Sequence, residues 1–497
     1  MLRRIAGNRI ARVRFSRRRN DRGPRTADLP CGLSPIWPIG NVPTKIGCTL
    51  KPHRSPWAFS STTKSREISR RGRYLPLGVA LAWWGVCFSL YASAWPIAYT
   101  QRNFLGVTAL MAGTVISSIL GYRWGTGQGQ MATRQVREKR IPEVVAIGFI
   151  ASVLLVIPMS QAYSGFSVLD LGDALNDQAG AYAQSSERIL EGFDARSGIV
   201  LMQTVLAPFT LTALPYLALS WFERRKHGLL FLSVLAAPTL MGILVARDQQ
   251  IGLSGIVVFG AWVLSRVRRR MPLRRPEKLV LFLLGVGLFF AFGARKALRS
   301  GNVPLCPPGA TECAVAHDHP SVFEVAGIYF SSYASQGLEG LGRALDATWT
   351  FGGGLSHSQA LASMAHSLFG LDPQAVVTSQ LYKLEWSDSW YWSTALTSLA
   401  NDVPWVFIPL VIGLQAAILG LVWRSAIEDG DWLSVTVFCY TWLGLLFVPQ
   451  NLQLAISGPT YVGYIVLLSS YLIRSLLQRH TDLSSLAAGS AIPAITK

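Results

Sequence analysis

PWVFIPLVIGLQAAILGLVW (404–423) runs for twenty residues without a charge, and its reading decides the fold class. At 1.5 Å per residue such a helix is about 30 Å long, the thickness of a bilayer's hydrocarbon core. Nine further apolar stretches accompany it, at 75–100, 104–122, 143–162, 199–221, 229–246, 251–265, 279–293, 433–449 and 458–474. The sixth and seventh stretches in chain order, 251–265 and 279–293, are short and need flanking residues or local thinning of the bilayer. Half of the 497 residues are apolar and only 15% are charged, too few to cover a soluble protein of this length. The expectation is an all-α polytopic transmembrane bundle of about ten spans with no sheet of consequence.

Basic residues set the orientation. With the N-terminus inside, the cytoplasmic segments 1–74, 123–142, 222–228, 266–278, 424–432 and 474–497 hold 37 of the 46 Lys and Arg. The excess of Lys and Arg on cytoplasmic loops therefore predicts both termini inside. The net charge of +19 is mostly a tail effect, because residues 1–74 alone contribute +15. Their run RRIAGNRIARVRFSRRRNDRGPR leads into a Pro-rich stretch without periodicity, read as a disordered tail held by the anionic inner leaflet rather than by nucleic acid. A start site read too early is the alternative. No apolar stretch follows the arginines closely, which argues against a secretory signal.

The domain reading follows: a basic tail (1–74), a bundle of spans one to seven (75–293), a large outside segment (294–403), spans eight to ten (404–476) and a cytoplasmic tail (477–497). Only Gln101, Arg102 and Asn103 join spans one and two, a hairpin read as too tight for function. The outside segment 163–198 spaces Leu169, Leu171, Leu175, Ile189, Leu190 and Phe193 helically among acids, as amphipathic surface helices do. The excursion 294–403 is long for a loop without a function. Within it GIYFSSYASQGLEGLGRAL (327–345) is helical in period but carries Glu339 and Arg343, so it reads as a surface or re-entrant helix rather than an eleventh span.

Cysteines divide by compartment. Cys31 and Cys48 lie in the tail, Cys87 and Cys439 inside spans, and Cys306 and Cys313 outside, where thiols oxidise. CPPGATEC (306–313) is read first as a small disulfide ring. A metal site with His317 and His319 stays open, though C-x6-C is not the usual zinc spacing, as does no special role. No P-loop, dinucleotide fingerprint, H-E-x-x-H or G-x-S-x-G is present, so nucleotide-driven chemistry has no local support.

YASQGLEGLGRALDATWTFGGGLSHSQAL (333–361) and YKLEWSDSWYWSTALTSLANDVPW (382–405) together resemble bacterial O-antigen and oligosaccharide repeat-unit polymerases. The carriers are Gln336 to Leu345, the aromatic–Thr–aromatic–Gly turn Trp349 to Ser356, and the Trp-rich segment Trp386 to Asp402. Glu339 and Asn401 depart from the pattern, which puts the sugar in doubt. The resemblance implies transfer of a growing glycan from one polyprenyl pyrophosphate to the sugar end of another. The site would lie on the outer face of the bacterial cytoplasmic membrane, with no cofactor. The implied partners are the lipid-linked oligosaccharide and the bilayer, together with a flippase and a chain-length regulator.

That chemistry needs a cationic clamp on the departing pyrophosphate, a group orienting the acceptor hydroxyl, and flat surfaces for sugars. Arg247, Arg295, Arg299 and Arg343 are the clamp candidates; against them stand a snorkelling helix end for Arg247 and an i,i+4 salt bridge with Glu339 for Arg343. His357, Asp402 and Asp388 are the catalytic candidates, with His366 behind them. Against them, Asp402 reads first as a cap for span eight, and a lone loop histidine such as His357 is more often a solvated bystander. Trp349, Trp386, Trp390, Tyr391 and Trp392, with Phe351, are the sugar-stacking candidates or else an interfacial belt. The rival functions are a flippase for lipid-linked sugars and a non-enzymatic component of polysaccharide assembly.

Overall fold

Two small-residue stripes meet at the tightest helix pair among the described residues. Phe104–Gly127 (α2), which follows Arg70–Ala92 (α1), lies against a late helix, Ile408–Glu428, so closely that a Cβ on Gly121 would stand 2.0 Å from the Gly413 carbonyl oxygen. A Cβ on Gly125 would meet the Ala417 carbonyl at the same distance. Without a hydrophobic drive between helices in lipid, such backbone contact is what holds two spans together. Gly121→Val is therefore expected to part the pair. Overpacking costs about 1–3 kcal/mol in ordinary cores, and here the obstacle is backbone. The check is thermal unfolding of the detergent-solubilised protein, in which Gly127→Ala, whose Cβ would meet nothing within 4 Å, should stay near the parent.

The computed structural model describes residues 70–489 apart from 128–139, 191–196, 273, 301–305, 307–309, 314–320, 375 and 387–390. The basic tail expected at 1–74 lies almost wholly outside the described residues. After α2 come Glu143–Leu154 (α3), Val156–Ser164 (α4), Leu171–Asn176 (α5), Gln178–Leu190 (α6), Ser197–Arg224 (α7), Gly228–Leu244 (α8), Gln249–Arg268 (α9) and Arg275–Ser300 (α10). Then follow Val322–Ala344 (α11), Gln359–Phe369 (α12), Val376–Leu381 (α13) and Ala395–Ala400 (α14). Ile408–Glu428 (α15), Trp432–Leu446 (α16) and Gly458–Gly489 (α17) close the chain.

Each of the ten apolar stretches overlaps a helix or a broken helix pair. Among the described residues, seven helices (α1, α2, α7, α9, α10, α15 and α17) are long and apolar enough to cross a membrane. The pair α3 and α4 makes an eighth if counted as one span, bent by 43°. Pro158, third in α4, has no N–H for the Leu154 carbonyl, so the ladder breaks there. The apolar helices α8 and α16 are shorter, 17 and 15 residues. The architecture is that of a multi-pass membrane protein.

The first stretch, expected to span to residue 100, stops being helical at Ala92; the chain turns through Ser93–Pro96 into the strand Ile97–Tyr99 (β1). This strand pairs antiparallel with Ala310–Cys313 (β2), Ile97 opposite Cys313, a two-stranded ribbon that sequence reading did not foresee. The described part of the segment 163–198 forms α5 and α6, as its period predicted, while Phe193 lies outside the described residues. The helix of the last apolar stretch continues beyond 476 to Gly489.

Alternation of the helices sorts their connections between two ends of the bundle. At one end Trp423 Nε1 donates to the Gly72 carbonyl (3.1 Å), and Arg268 pairs with Glu223 (2.6 Å) while donating to the Ala426 and Ile427 carbonyls. There too Asp431 accepts from both terminal nitrogens of Arg474, Nη1 and Nη2, at 2.8 and 3.1 Å. Burial alone would raise the Asp431 carboxyl; the Arg474 guanidinium and Ser434 outweigh it and hold it below the usual carboxylate range. The opposite end carries 93–103, 245–248, 345–404 and 447–457, and it holds the candidate site.

Candidate functional site

The helix α11 organises this end. Ser321 and Glu324 form a capping box at its start, and from Ser331 to Ala344 every side chain but Tyr333's is buried. It is not a surface helix. Phe330 packs edge-on against Trp83 of α1 and Phe289 of α10, whereas Ser335 donates to the Tyr99 hydroxyl (3.2 Å). Thus α11 runs alongside α1 and delivers its C-terminal turns to the 93–103 connection. Burial pushes the Tyr99 hydroxyl's pKa up, well above the ordinary phenol.

Glu339 is fully buried there. It accepts from the Thr100 hydroxyl, from the Gln101 backbone N–H (3.1 Å) and from Arg343 Nε (3.1 Å). Arg343, 4% exposed, also donates to the Leu384 carbonyl (2.6 Å) and lies 5.8 Å from the centre of the Trp386 ring. Nearby, Arg102 pairs with Asp346, and Asn103 donates to the Gly342 carbonyl (3.1 Å). The hairpin 101–103 is therefore part of the framework under the site. Arg343 takes the salt-bridge role that its spacing allowed, and its guanidinium is turned into the protein rather than toward a ligand.

A relay forms one half of the site. Gly353 and Gly354 adopt φ of +96° and +86°, a path that folds the segment back over Asp402. The Asp402 carboxylate accepts from the Gly354 N–H (2.9 Å), the His357 N–H (2.7 Å) and His357 Nδ1 (2.8 Å). With the proton on Nδ1, His357 Nε2 is left to accept from the Tyr461 hydroxyl at 3.0 Å. Asp402 thus does not cap span eight: α15 begins after Phe407, which makes no side-chain cap, and Asp402 is occupied by the glycine loop. Asn401, 2% exposed, fixes both sides of this arrangement. Its carbonyl oxygen takes the Val377 and Thr378 N–H groups at the start of α13, and its amide donates to the Ser356 carbonyl (3.2 Å).

A cation cluster forms the other half. Asp248, just before α9, pairs with Arg295 (2.7 Å) and Lys296 (3.3 Å) of α10. Lys296 donates to the Tyr333 hydroxyl (2.7 Å) and lies 4.8 Å from that ring's centre, and Tyr333 in turn meets Trp392 edge-on at 4.3 Å. Both the Arg247 N–H and Arg295 Nη2 donate to the Gly242 carbonyl, at 2.9 and 3.0 Å. Two expected clamp residues, Arg247 and Arg295, are therefore neighbours, with Arg343 apart from them. Trp392 and Asp402 flank α14, whose six residues rise about 9 Å.

The remaining candidates scatter. Trp386 is fully buried, its indole laid against Gly340 where a Cβ would come within 3.0 Å, so neither face is open to a sugar. Tyr391 is half-buried beside it. Trp349 donates to the Ala400 carbonyl (2.8 Å), Phe351 is exposed, and His366 Nδ1 donates to the Leu371 carbonyl (3.2 Å) just past the end of α12. Asp388, Trp390 and the side chains of Arg299 and Cys313 lie outside the described residues. Cys306 is disulfide-bonded; Cys87 and Cys439 are buried free thiols, in keeping with packing roles. Sequence reading passed over Tyr461 and Lys296. Lys296 stood in plain view between Arg295 and Arg299, whereas Tyr461 was hidden in the apolar register of the last span. No family model, curated protein or solved structure matches the chain.

Proposed function

We infer that the chain is a membrane polymerase that joins polyprenyl-pyrophosphate-linked oligosaccharide repeats, working at the end of the bundle that holds both clusters. That end faces outward because the opposite connections carry most of the Lys and Arg, and the chain crosses the membrane ten times. The observation that carries the reading is the Asp402–His357–Tyr461 relay sharing one end with the Arg247–Arg295–Lys296 cluster. In the reaction the acceptor hydroxyl attacks the anomeric carbon of the donor glycan. The carbon–oxygen bond to pyrophosphate breaks, and the leaving pyrophosphate stays on its lipid, its charge met by the cations. The acceptor's proton passes to His357 Nε2, with Asp402 holding the ring; the Tyr461 hydroxyl marks the position from which a substrate hydroxyl reaches that nitrogen. Trp392, beside the cations, is the sugar platform best supported by position.

The flippase reading draws on buried ionisable groups. Glu339 and Arg343 are such a pair, but their partners Thr100 and Gln101 lie past the end of α1, at the site end. Deleting the gene separates the two. A lost polymerase leaves surface glycans of a single repeat on a gel, whereas a lost flippase leaves lipid-linked repeats stranded on the inner face. Unchanged long chains would end the polymerase reading.

A further inference from the structure

Seven buried side-chain atoms outside the guanidinium groups have no hydrogen-bond partner among the described residues. Four of them gather on one seam: Trp386 Nε1, Trp392 Nε1, Asn451 Oδ1 and Gln453 Nε2. Three segments meet there. Tyr333 of α11 touches Trp392 edge-on at 4.3 Å. One turn further along α11, about 6 Å, a Cβ on Gly337 would stand 2.6 Å from the Pro449 carbonyl and 2.9 Å from that of Gln450. Another turn on, a Cβ on Gly340 would stand 3.0 Å from Trp386 Nε1 and 3.1 Å from Ser393. The Ala395 N–H ties the second segment to the third, donating to the Val448 carbonyl (3.1 Å). From Val448 the chain passes Gln450, Asn451 and Gln453 to Ala455, whose carbonyl accepts from Ser358 Oγ (2.6 Å), next to His357. A connection bearing three carboxamides thus runs from Trp392, beside the cation cluster, to the relay.

A buried donor or acceptor without a partner destabilises a fold, so native chains keep few of them. Trp392 and Asn451 are half-buried: each reaches the surface with its polar atom turned inward, and a side-chain rotation presents that atom to a ligand. Gln453, 5% exposed, is held beside Asn451 by its own N–H, which donates to the Asn451 carbonyl (2.9 Å). Segments 391–400 and 447–457 contain no charged residue, and Glu339 and Arg343 of α11 pair with each other. A charged group seated here would lose its water without gaining a counter-ion. Carboxamides and an indole, offering donors and acceptors without charge, suit vicinal hydroxyls instead. We propose that this seam seats an uncharged sugar ring, the one whose hydroxyl attacks, against Trp392, with Asn451 and Gln453 bonding its other hydroxyls. The proposal rests on the polymerase reading and adds to it that the acceptor end is neutral and is selected by the 450–453 connection.

The test measures binding without transfer. It uses the full chain in phosphatidylcholine nanodiscs and the repeat-unit oligosaccharide released from the strain's own surface polysaccharide by partial acid hydrolysis. A fluorophore at the reducing end reports affinity by anisotropy. Gln453→Met and Asn451→Leu each remove one hydrogen bond to the sugar and should weaken binding about two- to tenfold. Each also removes a polar atom without a protein partner among the described residues, so neither variant should melt below the parent. A residue that only packs does the reverse, melting lower and binding as before. Inorganic pyrophosphate, a probe of the cation cluster, should not displace the sugar. Lower melting with unchanged affinity in both variants, or displacement by pyrophosphate, overturns the proposal. Failure of the polymerase reading shows elsewhere, in long glycans that persist after gene deletion whatever the two variants do to binding.

Discussion

His357→Gln abolishes long-chain product while leaving the protein at normal level in the membrane. The expected loss is about 10²–10⁴-fold in rate, the usual contribution of a positioned acid–base group. Glutamine keeps the backbone N–H that donates to Asp402 at 2.7 Å, so the glycine loop stays closed and the loss reports the ring alone. Asp402→Asn should lose activity as well, through a different cause. The carboxylate holds Gly354, the His357 backbone and His357 Nδ1 together, and an asparagine meets at least one of these three donors with an amide N–H instead of an acceptor. Tyr461→Phe removes the 3.0 Å bond to Nε2 and leaves the imidazole in place, so its effect should be the smallest of the three. Glycan chain length on a gel, normalised to membrane protein, ranks them. Normal chain lengths from His357→Gln would show that the relay is structural.

The ten apolar stretches were legible because helix formation in lipid is a local matter: an unbroken run of apolar residues satisfies its own backbone. Breaks were legible only in part. Pro158 bends α3 from α4 by 43°, and Pro96 lies where the first helix has already given way to the turn before β1. What the sequence concealed is the burial of α11. Its Ser331, Ser332, Ser335, Gln336, Glu339 and Arg343 look like a wet face, and each is buried. Ser332 bonds Gln336 within the helix, but the partners of Ser335, Glu339 and Arg343 come from far away: Tyr99 and Thr100 from the 93–103 connection, Leu384 from beyond the glycine loop. Polar composition signals a surface only when no distant segment supplies the bonds, and one chain read in order does not show which segments will meet. The same distance hid Tyr461, 104 positions from His357, and the β1–β2 pairing. Trp386 shows the converse error: an aromatic read as a sugar platform became packing for Gly340.

Glu339→Leu should be the most destabilising single change at the site end. Its side chain is 0% exposed and that of Arg343 5%, so solvent screens little of their 3.1 Å pairing. An exposed i,i+4 pair is worth about 0.3–0.5 kcal/mol, and its loss would scarcely register. A buried cation stripped of its partner instead costs about 3–5 kcal/mol. Leucine also leaves the Gln101 N–H and the Thr100 hydroxyl without their acceptor, about 1–3 kcal/mol for each group that stays buried. Replacing both charges, Glu339→Leu with Arg343→Met, removes the stranded guanidinium and should recover most of the first loss but not the second. Thermal unfolding of the single and double variants in detergent measures the difference. A Glu339→Leu penalty below about 1 kcal/mol, the range of exposed pairs, would mean that water reaches α11. The buried helix beneath the relay and the cation cluster would then be lost as their common support.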